Sequence, residues 1–430
     1  MLFMESESRH NKITNFKHIR DYFDKLNFDK NHFVNSNDIC TPMDCVKEMV
    51  DSIPDNFWQK DNLKILDSCC GNGNFHGYIR TKTNLKNLYF NEINPKRIEN
   101  VKEYFGSKIN LTCQDFLTYP TSCDDLLTNT DKNIKKYDLI VSNPPYAKFN
   151  DNGRVSKNHN LSRDFIKKAL DLTYDGGYIL FIVPNNWMSY SDRNTLPKKL
   201  SQYQFIHLDI GGAKKYFPKV GSSFSWFLLQ KSPNRHKFTI NNHYKIKDTQ
   251  QARLNKNVNF IPLYYSDMVR EILDLTINNK KLPKYEIQTT SDLHRTTKKQ
   301  FISEHKTAEY KYKLIHTPTK TLWSKQAHKF QDGFKVFLSL TNQYGLFIDN
   351  CGMTQSVAFI RCKTQIQAIK TKQELEQDVY KFINNITRYG NFNNVRVLQN
   401  YPLWGSFKLN SAQNSFIKKF NTKYYGKKEK

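Results

Sequence analysis

The chain has 430 residues, 38% of them hydrophobic and 14% aromatic, with a formal net charge of +26. That length and apolar content allow two domains with cores and exclude an intrinsically disordered chain. No apolar stretch approaches the ~20 residues of a membrane span, and Met1-Leu2-Phe3-Met4-Glu5 has no signal-peptide layout, so an intracellular protein is expected.

Residues 1–62 read as helices and loops. Thr41-Pro42 is a helix start, because proline suits the first turn and Cys45, Val46, Met49 and Val50 follow at helical spacing. From Lys64 to Gln230, short apolar runs alternate with helical segments. Ile65-Leu66 leads into the turn Asp67-Ser68-Cys69-Cys70-Gly71-Asn72-Gly73-Asn74-Phe75. Leu88-Tyr89-Phe90 leads to Glu92, Ile109–Cys113 to Asp115, Leu139-Ile140-Val141 to Asn143, and Tyr178–Val183 to Pro184. Ser223–Leu229 is a further strand. Alternation of this kind predicts an α/β fold on a doubly wound, mostly parallel sheet. Ligands of such sheets bind at the carboxyl ends of the strands, where these polar residues fall.

Past Lys231-Ser232-Pro233 the alternation fades, which puts a domain boundary near 233–245 and divides the chain into 1–235 and 236–430. Residues 1–234 hold 32 Lys and Arg against 26 Asp and Glu, a net +6; residues 235–430 hold 34 against 14, a net +20. A coding bias toward lysine would tilt both halves alike, so the second half is expected to meet a polyanion. It contains strand-like runs at Val336–Leu340, Tyr344–Ile348 and Val357–Ile360, and one helix from Lys372 to about Arg388. The eight cysteines form no C-x-x-C pair, so free buried thiols are expected and no metal site is indicated.

The chemistry sits at three strand ends. Gly71 and Gly73 let backbone approach a ligand, but residue 76 is His, which departs from the dinucleotide fingerprint, and the P-loop lysine is absent. Glu92, about twenty residues further on, suits ribose hydroxyls. Asp115 suits an exocyclic amine, and Phe116 offers a ring to a purine. Asn143-Pro144-Pro145-Tyr146 supplies the reactive part: the prolines stiffen the turn and remove two donors, leaving carbonyl oxygens to face a substrate amine. Asn143 adds a side-chain acceptor and Tyr146 a flat face.

In this order the motifs resemble the amino-methylating DNA methyltransferases, in particular the γ group of type II N6-adenine enzymes. The resemblance covers residues ~38 to 230. It implies a Rossmann-like methyltransferase fold followed by an α+β target-recognition domain, with S-adenosylmethionine as cofactor. Thr41 matches the segment that caps the methionine end of the cofactor. Asp67, Gly71, Gly73 and Phe75 match the cofactor loop, with Asp67 as partner of the amino group. Glu92 matches the ribose acid, Asp115 the adenine contact beside Phe116, and Asn143 to Tyr146 the catalytic loop. Ser68 stands where the family usually has proline, which should loosen the turn. Within Gly211–Pro218, Phe217 best matches the residue that stacks on a flipped base, with Tyr216 and Phe224 as alternatives. Gly352–Ile360 and Arg388–Asn394 look like segments shared by one branch of these enzymes.

The expected activity is therefore site-specific methylation of adenine N6 in double-stranded DNA by a monomer. With only a short stretch before the cofactor motifs, no fused N-terminal nuclease is expected, and a separate cognate restriction endonuclease is left open as a partner. The alternatives are an RNA adenine-N6 methyltransferase, a protein glutamine N5-methyltransferase, and a non-catalytic DNA-binding subunit.

Overall fold

A computed structural model describes residues 15–28, 40–119, 136–146, 149–150, 153–154, 161–218, 221, 223–341 and 343–425. The chain divides into two compact units. The first is residues 1–187, 198–243 and 248–257; the second is 188–197, 244–247 and 258–430.

The first unit is built on a nine-stranded sheet. Its strands are β1 (Ile65–Asp67), β2 (Leu88–Asn91), β3 (Asn110–Thr112) and β4 (Tyr137–Ser142), then, after a small hairpin of β5 (Phe149–Asn150) and β6 (Gly153–Arg154), β7 (Thr173–Pro184), β8 (Tyr203–Ile210), β9 (Phe224–Pro233), β10 (Phe238–Asn242) and β11 (Asp248–Ala252). The spatial order is β11-β10-β8-β9-β7-β4-β1-β2-β3. Strands β3, β2, β1, β4 and β7 pair in parallel, β9 runs antiparallel to both β7 and β8, and β11 is an antiparallel edge on β10. The expected doubly wound, mostly parallel α/β sheet is therefore present. Leu139, Ile140 and Val141 of β4, and Ile179–Val183 of β7, are all buried, as strands covered on both faces require.

Chain order reverses between β1 and β4, which lie side by side with Asp67 opposite Val141. A doubly wound sheet opens a crevice at such a point, outside the carboxyl ends of the strands. The helices Phe16–Phe28, Met43–Val50 and Asn74–Ile79 pack beside it. Met43, Cys45, Val46, Met49 and Val50 of the second helix share one buried core with Ile65, Val141, Leu180 and Leu228 of the sheet. Thr41-Pro42 does start that helix, with Pro42 at its N-cap position.

The first unit runs past the expected boundary of 235. The alternation fades there because β10 and β11 are short and half polar, with burial on alternate residues, yet they extend the sheet to Ala252.

The second unit holds a three-stranded antiparallel sheet of β16 (Leu346–Asp349), β15 (Lys335–Ser339) and β18 (Val357–Arg361). A four-stranded sheet joins β12 (Ile302–Ser303), β14 (Lys320–Ser324), β13 (Tyr312–Thr317) and β17 (Gly352–Met353). The expected strands at 336–340, 344–348 and 357–360 are β15, β16 and β18. The single helix expected from Lys372 is two, Gln365–Leu375 and Asp378–Ile386, because Gln377 between them adopts extended backbone. Their apolar faces meet Val336, Leu338, Tyr401 and Phe420 in one core. Among the described residues no helix is long and apolar enough to cross a membrane.

Candidate active site

The turn after β1 is shaped by its two glycines. Gly71 has φ +57° and Gly73 φ +93°, values that other residues rarely adopt. At Gly73 a Cβ would also stand 2.7 Å from Cε2 of Phe105. The turn is stitched to the neighbouring strand ends: Ser68 N–H donates to the Val141 carbonyl (3.2 Å) and Cys70 N–H to the Asn91 carbonyl (2.8 Å). Ser68 corrects the expectation of a looser turn. Its N–H makes a bond that proline could not, and its hydroxyl donates to Ser142 Oγ of β4 at 2.8 Å.

Asp67 ends β1 with 1% of its surface exposed, and neither carboxylate oxygen has a partner of good hydrogen-bond geometry. Burial pushes this carboxyl well above the usual range; the nearby Cys69 N–H offsets part of that and Glu92 adds to it. An orphaned buried carboxylate is a costly feature that a cationic ligand would relieve. Glu92 is also buried, but its oxygens are engaged. One accepts the Gly71 N–H and the other the Asn94 N–H, both at 2.8 Å, which aims the carboxylate along the glycine turn.

Asp115 is exposed, and its Oδ1 accepts the Leu117 N–H at 3.0 Å, capping a single turn of helix at Phe116–Thr118. Phe116 itself is 2% exposed. Its ring packs on Phe165 and Tyr119, with centroids at 5.3 and 5.6 Å, and leaves no face open. Phe75 likewise lies in the core beneath the glycine turn. The apolar surface at this end of the sheet comes instead from Ile93, directly after Glu92 and 65% exposed. Sequence reasoning passed over Ile93. Its one signal is an isolated large aliphatic residue in the polar loop after β2.

Asn143-Pro144-Pro145-Tyr146 follows β4. Asn143 is held at both ends of its amide: Nδ2 donates to Thr41 Oγ1 at 3.0 Å, and the Tyr146 hydroxyl donates to Oδ1. The Asn143 carbonyl accepts from Cys69 Sγ at 3.3 Å, and Cys69 also bonds Ser142 Oγ at 3.0 Å. Thr41 and Asn143 are thus drawn to one place with Cys69 and Ser142, which no motif flagged, and Asp67 ends the strand paired with β4. No sequence signal joins Thr41 to Asn143, since 102 residues separate them.

The Tyr146 ring packs on Phe224 at 5.5 Å, and Phe224 on Phe217 at 5.3 Å. Phe217 is 5% exposed, and Phe224 is the ring that touches both of the others. Tyr216 points elsewhere: its hydroxyl donates to Glu48 at 2.6 Å, and Lys215 lies over its ring. In the second unit, lysines cover aromatic rings on and around the four-stranded sheet. Lys306 sits over Trp323, Lys311 over Tyr312 and Lys325 over Tyr310, at 5.0–5.3 Å.

The nine-stranded sheet with its strand-end site is the fold of class I methyltransferases, a class whose cofactor is S-adenosylmethionine. The donor set fits that molecule, with a bare buried carboxylate for its ammonium group and a second, aimed carboxylate for its hydroxyls. Residues 53–217 match the family described as Eco57I restriction-modification methylase. Two solved structures are similar over most of the chain. One is a cryoEM structure of a DrdV–DNA complex, with TM-score 0.52, 10% identity, and coverage of 96% of this chain and 59% of that one. The other is a nuclease-deletion mutant of the Type ISP restriction-modification enzyme LlaGI in complex with a DNA substrate mimic, with TM-score 0.53, 10% identity, and coverage of 90% and 55%. At that identity the likeness is one of fold, and this chain spans less than two thirds of either protein. No curated protein matches the chain.

Proposed function

We propose that the protein is a site-specific DNA adenine-N6 methyltransferase, with the first unit carrying the chemistry and the basic second unit gripping double-stranded DNA. The observation that carries this is the clamped Asn143 amide, at the end of β4 and across the strand reversal from the orphaned Asp67 carboxylate.

When bound, S-adenosylmethionine supplies a methyl group on a sulfonium, which is a good leaving group. Asp67 would hold its amino group, Glu92 its ribose hydroxyls, and Ile93 with Asp115 its adenine; Thr41, Gly71 and Gly73 would lie against it, with Phe75 supporting the glycine turn from the core. The target adenine cannot react inside the base stack and would be flipped out at a cost of a few kcal/mol. Tyr146 offers it a stacking face, with Phe217 or Phe224 on the other side. Asn143 Oδ1 and the Pro144 carbonyl would accept hydrogen bonds from the N6 amine, which fixes it with its lone pair free for attack, and N6 would shed one proton to water once it carries the methyl group. Pro145 keeps the loop rigid and removes a backbone donor. Positioning is then the main catalytic contribution of the chain.

The test is to incubate the purified protein with methyl-labelled S-adenosylmethionine and unmethylated genomic DNA, digest to nucleosides and separate them. Label in N6-methyldeoxyadenosine is expected. Label only when RNA or protein is supplied would overturn the substrate. Asn143→Ala should lose turnover by at least about a hundred-fold with cofactor affinity intact; if cofactor binding vanishes too, the role given to Asn143 is wrong. We take the chain to act as a monomer, beside a separate restriction endonuclease if one is encoded with it.

A further inference from the structure

The segment Arg388–Asn394 is pinned at both ends and bare in the middle. On one side, the Arg388 guanidinium donates to the carbonyls of Thr341 (3.2 Å) and Asn391 (2.8 Å), and the Tyr389 hydroxyl donates to the Ile261 carbonyl (2.5 Å). On the other, buried Asn393 donates through Nδ2 to the Ser339 carbonyl (2.7 Å) and through its backbone to Leu340 (2.8 Å), and it accepts from Asn384 (3.1 Å). Asn394 donates to the Tyr190 carbonyl at 3.0 Å and caps the helix Val395–Leu398. Three residues between these anchors, Gly390, Asn391 and Phe392, stand in solvent.

Phe392 is 65% exposed and makes no ring contact among the described residues. Holding a bare phenylalanine out on a rigid support is unfavourable for the free protein, since the ring gains nothing there by burial. Gly390 adds an independent observation. A Cβ at that position would meet nothing within 4 Å, and its φ is not in the left-handed region. Nothing among the described residues therefore requires glycine two positions before Phe392, whereas close approach of a ligand to the backbone would. The tip belongs to the strongly basic part of the chain, with 34 Lys and Arg against 14 Asp and Glu over residues 235–430.

We infer that Phe392 is a wedge that enters the base stack of duplex DNA and unstacks one step. The inference rests on the DNA reading proposed above. A flat apolar ring on a preordered loop suits that role, because basic residues bring the duplex to the unit, the anchors forbid the loop from folding back, and the glycine lets the backbone come close. The ring reads no base edge, so it would contribute affinity and distortion more than sequence choice.

The experiment uses the full chain and an end-labelled duplex fragment carrying a site methylated by the protein. With wild type, thymines at the unstacked step become reactive to permanganate. Phe392→Ala should abolish that reactivity and weaken duplex binding by about ten-fold, the scale of one base–aromatic stack. Phe392→Leu should restore most of both, since an aliphatic wedge also unstacks. S-adenosylmethionine binding and thermal stability should not change, because the ring is outside the core. Unaltered permanganate reactivity and affinity in Phe392→Ala would overturn the wedge while leaving the methyltransferase reading in place. Failure of wild type to bind duplex DNA would instead remove the DNA reading, and the wedge with it.

Discussion

Asp67 shows how a single residue can be read for function. A carboxylate that is buried and has no well-formed hydrogen bond destabilises the protein that contains it. Its pKa is raised on folding, so the cost is absent below the ordinary carboxylate range and grows as pH rises above it. Asp67→Asn should therefore stabilise the ligand-free protein, by about 1–3 kcal/mol, while S-adenosylmethionine affinity falls at least ten-fold. Thermal denaturation and calorimetric titration measure the two sides. A variant that loses stability would mean that Asp67 is a structural residue. Asn143 differs, because its amide is satisfied on both sides and its value lies in orientation.

At the scale of elements, the helix Asn74–Ile79 joins the cofactor turn to the core. Gly77 faces the ring of Phe23, and a Cβ there would stand 2.3 Å from Cε2 of that fully buried side chain. Gly77→Ala should cost about 1–3 kcal/mol through overpacking, read as a lower denaturant midpoint. His76 on the same helix is wholly buried, with Nε2 bonded to the Tyr89 carbonyl at 2.8 Å, and burial lowers its pKa to about 4. Between about pH 6.5 and 4 the unfolded chain then binds the extra proton, so stability is full above pH 6.5 and declines as pH falls toward 4. Buried His328 in the second unit is lowered to about 4 as well, so both units should show this acid limb. Denaturant midpoints from pH 7.5 to 4.5 should fall, and His76→Asn should flatten the slope for the first unit. A slope unchanged in that variant would assign the limb to other groups.

At the scale of the molecule, the unequal charge of the two halves governs association. On the DNA reading proposed above, a stretch with a net +20 over residues 235–430 would release counterions on meeting duplex phosphates, so affinity should fall steeply and log-linearly with salt. Lys306 and Lys311, each lying over an aromatic ring, are candidate phosphate contacts. Replacing both with alanine should lower the magnitude of the salt slope by about two, measured by anisotropy of a labelled duplex between 50 and 200 mM salt, a range chosen on the scale where such slopes are read. An unaltered slope would place the phosphate contacts on other lysines.

Much of this was legible along the chain. Alternating apolar runs and helices gave the parallel sheet, because covered strands must be continuously apolar and short. The glycine turn, Glu92 and Asn143–Tyr146 stood out because strand ends are where polar residues have no local reason to gather. Those signals are local, arising from a periodicity or from backbone that only a few residue types allow. What tertiary structure alone decided involves residues far apart in sequence. The Thr41–Asn143 clamp, the Ser68–Ser142 tie that replaces a proline, the aromatic series Tyr146–Phe224–Phe217 and the bare oxygens of Asp67 depend on which strand lies beside which. So does the fate of Phe116, whose ring is taken up by Phe165, and of β10 and β11, whose weak pattern suffices only because β8 presents an edge for β10 to pair with. Residue type states what a side chain is able to do; burial and partners determine which of those capacities is left for a ligand.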